Sequence, residues 1–234
     1  MQPVLPGSRF DLASFGELVS DPSRVAMLLA LMDGSARPAT ELAAVAKVTP
    51  PTASFHLGRL VTGGLLAVEA AGRHRYYRLA GAAVAEALEA VALIHPRRPD
   101  TANREIPPER LALVAARTCY RHLAGRLGVA WLASLERARL VGVRDGALAL
   151  TRRGVARFEE LGLAPARWPP GKTCLDWTER RYHLGGPLGT LLTDHLFAKK
   201  WLARRRDGRA VRITPEGERA LPRHFALPLS NLRP

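Results

Sequence analysis

The chain has 234 residues, enough for a sizeable core and for more than one small domain. No apolar run reaches the length of a membrane span, the N-terminus lacks the charged-then-apolar pattern of a secretory signal, and two cysteines cannot build a disulfide framework, so a cytoplasmic protein with free thiols is expected. The formal net charge is +14, yet the first 95 residues hold eight basic and eight acidic side chains, so the whole surplus lies in residues 96–234, where it favours a polyanion or marks an arginine-rich solvated surface.

In chain order, Phe10–Val19 is an amphipathic helix with Phe10, Leu12, Phe15 and Leu18 on one face. Asp21 caps the next helix and Pro22 opens it, with Val25, Leu28, Leu29 and Met32 as its stripe. A short helix follows Thr40, with Leu42, Ala43 and Ala46, and stops near Lys47–Val48. Thr49 supplies a capping hydroxyl, and Pro50 sits where a missing N–H costs nothing. The helix so begun repeats Ala53, Leu57, Leu60 and Val61 on one face. Its other face carries Pro51, Thr52, Ser54, Phe55, His56 and Arg59, and Gly63–Gly64 end it. Leu65–Glu69 and Arg73–Leu79 read as strands around an Ala71–Gly72 tip. Helix, turn, helix and basic hairpin make a winged helix-turn-helix. The second helix suits the major groove, and Arg73, His74 and Arg75 on the hairpin suit phosphates or the minor groove.

The stretch ELAAVAKVTPPTASFHLGRLVTGGLL, followed by GRHRYYRL, resembles the DNA-binding core of ArsR/SmtB-type repressors. Thr52, Ser54, His56, Leu57, Leu60, Gly64, Leu65, Gly72, Arg73, Tyr77 and Leu79 fall in register with that family's pattern, and Thr49 replaces its usual serine. The resemblance covers about the first 95 residues. It implies a dimeric DNA-binding repressor, with the first and last helices of the core at the dimer interface. The metal-sensing branch carries cysteine in the first helix of the motif; here that helix reads ELAAVAK, so the resemblance says little about the inducer.

Gly81–His95 is an alanine-rich helix with Val84, Leu88, Val91 and His95 in a row. Residues 96–109, with four prolines, read as a linker. Residues 110–234 contain an internal repeat: residues 122–154 and 183–217 share HLxGxLG, a leucine-spaced helix, a strand, an Asp-Gly turn, a strand and a threonine-capped helix. His122 aligns with His183, Leu140 with Trp201, Asp145–Gly146 with Asp207–Gly208, and Thr151 with Thr214. The expected fold is mainly α with small β-hairpin wings (α+β). It comprises a winged helix-turn-helix over residues 1–95 and a C-terminal domain of two winged-helix-like repeats over 110–234.

Each repeat is entered by a cysteine. Cys119 and His122, three apart, would share a helical face; Cys174 is followed by Asp176 and then His183. Two thiols and two imidazoles at equivalent places could hold a metal ion such as zinc or form a redox pair, with Asp176 beside them; equally, both cysteines are small buried hydrophobes. A pocket lined by Tyr120, Trp131, Trp177 and Tyr182 is a third option. KTCLDWTERRYHLGG is also similar to segments of C-terminally extended ArsR-type regulators. The chain carries no phosphate loop, dinucleotide fingerprint, nucleophile elbow or HExxH. A non-enzymatic DNA-binding regulator follows: double-stranded DNA as partner, a homodimer, and a small-molecule, metal or redox effector. The rival readings are a thiol- or metal-dependent enzyme and a winged-helix module that binds protein.

Overall fold

The computed structural model describes residues 12–71, 74–94, 108–205, 209–230 and 232. It divides into two compact units, Met1–Ala85 and Glu86–Pro234. Among the described residues no helix is long and apolar enough to cross a membrane.

The first unit runs α1 (Leu12–Val19), α2 (Pro22–Ala30), β1 (Arg37–Pro38), α3 (Ala39–Ala46), α4 (Pro50–Thr62), β2 (Leu66–Ala71) and β3 (His74–Leu79). The Asp21 carboxylate accepts from the Ser23 and Arg24 amides at 2.8 and 3.0 Å, and Pro22 follows, so the sequence signal and the observed start of α2 coincide. α3 starts one residue before Thr40 and ends on Lys47 at φ 55°. Thr49 caps α4, accepting from the Thr52 amide. Met27, Leu28, Leu31, Leu42, Leu57, Leu60 and Leu79 are almost wholly excluded from solvent and form the core. β2 and β3 pair antiparallel with Val68 opposite Tyr77 and Glu69 opposite Tyr76. Alternation turns Tyr77 inward and leaves Tyr76 half-buried. The wing differs from its sequence reading in two ways. Ala71 belongs to β2 rather than to the tip, and the two-residue β1 adds a third strand beside β3, too short to leave a periodic signal. Phe10, Gly72, Arg73 and His95 lie outside the described residues.

Helix α5 (Ala82–Ile94) spans the boundary between the units, so the boundary falls inside a helix and not after residue 95. Most of the expected linker lies outside the described residues, but Pro108 and Glu109 open α6 (Pro108–Ala115), a helix the sequence reading did not assign.

The second unit then repeats one pattern. The first copy is β4 (Arg117–Cys119), β5 (His122–Ala124), α7 (Gly125–Arg137), β6 (Val141–Arg144), β7 (Ala147–Leu150) and α8 (Arg152–Glu160). The second is β8 (Lys172–Leu175), β9 (Tyr182–Gly185), α9 (Gly186–Ala198), β10 (Leu202–Arg204), β11 (Val211–Ile213) and α10 (Pro215–Phe225). The conserved spacing of 61 residues carries the core with it. Leu123, Leu127, Leu135 and Leu140 of one copy, and Leu184, Leu188, Leu196 and Trp201 of the other, join a single buried cluster. The copies match in detail. Thr151 and Thr214 each cap a helix through the amide of a glycine three residues on, both at 3.0 Å. Asp145–Gly146 turn the first wing with φ 50° and 75°; the second wing's Asp207–Gly208 lies outside the described residues. The shared HLxGxLG motif splits between two elements: His-Leu belongs to a strand, and the helix begins at Gly125 or Gly186, each with positive φ (74° and 71°). The second motif glycine lets helix sit on strand, because a Cβ on Gly128 or Gly189 would lie 2.4 Å from the carbonyl oxygen of Leu123 or Leu184.

Candidate functional site

Among the described residues, two places gather chemistry. The first is the face of α4. Thr49, Pro51, Thr52, Ser54, Phe55 and Arg59 are exposed, as the helical spacing predicts. The Thr49 and Thr52 hydroxyls lie 2.8 Å apart, so the cap also fixes the first polar group of the ridge. Phe55 is 63% exposed, unusual for its size. Arg59 is held loosely by Glu17 at 3.6 Å. α4 contains no acidic residue. His56 is the exception. It is buried, its Nδ1 3.4 Å from Arg24 Nη1 and its Nε2 4.0 Å from Asp21 Oδ1, so it ties α4 to the start of α2 and is not on the exposed ridge. Arg24 is itself buried, donating to the carbonyls of Leu18 and Glu17. On the wing, Arg75 is exposed; Arg73 and the His74 side chain lie outside what the structure describes.

The second place lies between the repeats. Cys119 and His122 are not on a helix. They are cross-strand partners at the end of the β4–β5 hairpin, closed by Tyr120 at φ 55° and Arg121. Cys174 and His183 are cross-strand partners in the β8–β9 hairpin in the same way. Opposed residues of a hairpin project from one side of it, so each hairpin offers one thiol and one imidazole. The four side chains meet, with all donor atoms within 4.8 Å of one another. The sulfurs are 4.0 Å apart, and the Nε2 atoms of His122 and His183 are 3.1 Å apart. Cys119, His122 and His183 are buried, and Cys174 is partly open. Gly185 makes room: a Cβ there would lie 3.0 Å from Cys174 Cβ and 3.3 Å from His122 Nε2.

Asp176 braces this cage from the turn of the second hairpin. Its carboxylate accepts from Arg117 at 2.9 Å, from the Thr178 hydroxyl at 2.6 Å and from the Gly125 amide at 2.7 Å, at the start of α7. Both Arg117 and Asp176 are fully buried, and Arg117 stacks 4.8 Å over the Trp177 ring. His183 Nδ1 lies 3.4 Å from Asp176 Oδ2, an ion-pair distance without a formed hydrogen bond. Burial works against the charge of Asp176, but His183, Arg117 and the hydrogen bonds from Thr178 and Gly125 outweigh it and hold the carboxyl well below the usual carboxylate range. The Cys119 thiol, donating to Cys174, favours a thiolate at Cys174; the same contact and burial push Cys119 up. The proposed aromatic pocket does not form as a unit, since Trp131 is taken into the core against Phe225 and Tyr182 is exposed.

A capped reading helix in a three-helix turn, followed by a hairpin wing, defines the class of winged helix-turn-helix DNA-binding proteins. Comparison with known proteins agrees. The helix-turn-helix domain family matches residues 19–69. An uncharacterized HTH-type transcriptional regulator of Bacillus subtilis (strain 168), YdfF, is 40% identical over 220 residues, spanning 92% of this chain and 97% of that one. Among solved structures, the homodimeric winged helix-turn-helix DNA-binding domain of Mb0332 from Mycobacterium bovis is 26% identical, covering 38% of this chain and 87% of that one with a TM-score of 0.33. NolR from Sinorhizobium fredii is 23% identical, covering 41% and 97% with a TM-score of 0.35. The chain belongs to the HTH-type transcriptional regulators.

Proposed function

We propose that the protein is a dimeric, sequence-specific DNA-binding repressor whose grip on its operator is released by an effector sensed in the second unit, and that it acts in the cytoplasm without a catalytic role. The observation that carries this reading is the ridge of α4. A helix start fixed by Thr49 presents Thr52, Ser54, Phe55 and Arg59 to solvent with no acidic neighbour on the helix. Hydroxyls and an exposed aromatic ring are groups that read base edges and thymine methyls, and Arg59 and Arg75 neutralise phosphates. A two-fold pair of such helices matches two half-sites one helical turn apart. Release by an effector requires that it bind the DNA-incompetent arrangement more tightly.

The test is fluorescence anisotropy on DNA from the promoter of the protein's own gene. Alanine at Thr52 and Ser54 together should weaken binding at least about tenfold, one lost base contact's worth of discrimination, with the helical circular dichroism unchanged. Arg75→Ala should weaken all sequences alike and lower the salt slope by about 0.9. Unchanged affinity in the folded Thr52/Ser54 double variant would overturn the reading.

A further inference from the structure

We infer that Cys119, His122, Cys174 and His183 form a closed tetrahedral site for one thiophilic divalent cation of the zinc type, held between the two repeats. Three independent features support it. The first is size. A tetrahedral ion with metal–sulfur bonds near 2.3 Å and metal–nitrogen bonds near 2.0–2.1 Å sets its sulfurs about 3.8 Å apart and its nitrogens about 3.3 Å apart. The observed separations are 4.0 and 3.1 Å, and no pair of donors exceeds 4.8 Å. The two like pairs are therefore close to their loaded separations, while the widest pair, up to 4.8 Å apart, must draw in by roughly 1 Å to reach the thiolate–imidazole spacing of a bound ion.

The second is charge. Two thiolates and two neutral imidazoles carry a charge of −2, which a dication cancels, leaving a neutral site suited to burial. The adjacent Arg117–Asp176 pair is already neutral on its own and adds no net charge. Two nitrogens and two sulfurs select a borderline-soft ion over magnesium or calcium, which prefer oxygen.

The third is support around the donors. Ligating histidines commonly turn their second nitrogen to a carboxylate, and His183 Nδ1 faces Asp176. Asp176 in turn is anchored on Arg117, Thr178 and Gly125, so one residue of the second repeat's turn positions a ligand while gripping the first repeat. Gly185 leaves the space a side chain would occupy. Partly open Cys174 is the side from which an ion enters. With four protein donors and no open position, such a site holds its ion and does not turn over a substrate.

The site also has an outlet. Beside Cys119, the Thr118 amide donates to the Arg209 carbonyl at 3.0 Å, and the Arg209 guanidinium binds Glu89 on α5 at 2.7 Å. An ion that locks the two hairpins therefore fixes β4, whose Thr118 amide holds the Arg209 backbone, and Arg209 in turn anchors Glu89 of α5. Its regulatory effect rests on the DNA-binding reading; the ion site itself does not.

The experiment uses the full chain, purified under reducing conditions, stripped with chelator and reloaded with Zn²⁺ or Co²⁺ alone. The expected result is one ion per chain, and a Co²⁺ spectrum with strong tetrahedral ligand-field bands and thiolate charge transfer. The partly open Cys174 thiol should be shielded from a thiol reagent until chelator is added. Cys174→Ser should lose the charge-transfer intensity contributed by one thiolate, and Asp176→Asn should lower Zn²⁺ affinity about 10–100-fold. Substoichiometric metal, a weak six-coordinate Co²⁺ spectrum, or a Cys119–Cys174 disulfide that excludes metal would overturn the site in the wild-type protein itself, whatever the variants do. Operator affinity measured with and without Zn²⁺ separates the two proposals. Stoichiometric tetrahedral metal with no operator binding in either form sinks the DNA reading alone. Operator binding equal in both forms sinks the regulatory outlet alone.

Discussion

The two repeats of the second unit share their strands, helices, caps and core positions, and they differ chiefly in one turn. In the first copy the hairpin closes through Tyr120 and Arg121. In the second it closes through Asp176–Arg181, and this longer turn sends Asp176 into the first copy. The likeness creates the four-donor cage, because each copy supplies the same two groups at the same strand positions. The difference braces it, because a buried carboxylate belongs to one copy and its guanidinium and amide partners to the other. Symmetry brings the ligands together, and a single break in symmetry holds them there.

The largest way to break this comparison is Asp176→Ala. It strands Arg117 in a site with no solvent access and frees the Gly125 amide, so about 3–5 kcal/mol of stability should go, read by chemical denaturation of the full chain. Replacing Arg117 by Met in the same background should recover part of that loss, since it removes the orphaned charge. The matching test of likeness is Gly128→Ala beside Gly189→Ala. Each Cβ meets a strand carbonyl at 2.4 Å, so both should cost at least about 1–3 kcal/mol by overpacking, and by similar amounts. Thr151→Ala and Thr214→Ala should each cost about 1 kcal/mol, the usual loss for a helix cap, because the two hydroxyls make the same bond at the same length. The smallest effect belongs to the short turn. Arg121 pairs with Asp194 at the surface, both about half exposed, and Arg121→Ala should change stability by less than about 1 kcal/mol. A large loss there would mean that the first hairpin's turn braces the cage as the second's does.

Much of this was legible from local chemistry. Thr49-Pro50 and Asp21-Pro22 start helices where capping rules put them, Asp145–Gly146 turns its wing, and the repeat is visible because its leucines and capping threonines recur in order. What failed to show was non-local. His56 sits three residues after Ala53 and four before Leu60, on the apolar face by helical period, yet its polarity assigned it to solvent. Its partner Arg24 is 32 residues away, and nothing near His56 in the chain announces it. The spacing of three between Cys119 and His122 fits a helical turn as well as a two-residue hairpin; the left-handed conformation of Tyr120 that decides between them has no signature in that residue type. In the sequence Asp176 stands out as a neighbour of the cluster and not as its anchor, since Arg117 lies 59 residues upstream.

The opposed cysteine and histidine in each hairpin carry one more consequence. Half of the cage is present in each copy, so two separate polypeptides of a single copy, associating about a true dyad, would present the same four donors. The fused chain then gains a freedom that such a pair lacks. Asp176 and Arg117 can each exist once, on opposite sides of the dyad, where a symmetric pair of identical subunits would have to place both residues on every subunit.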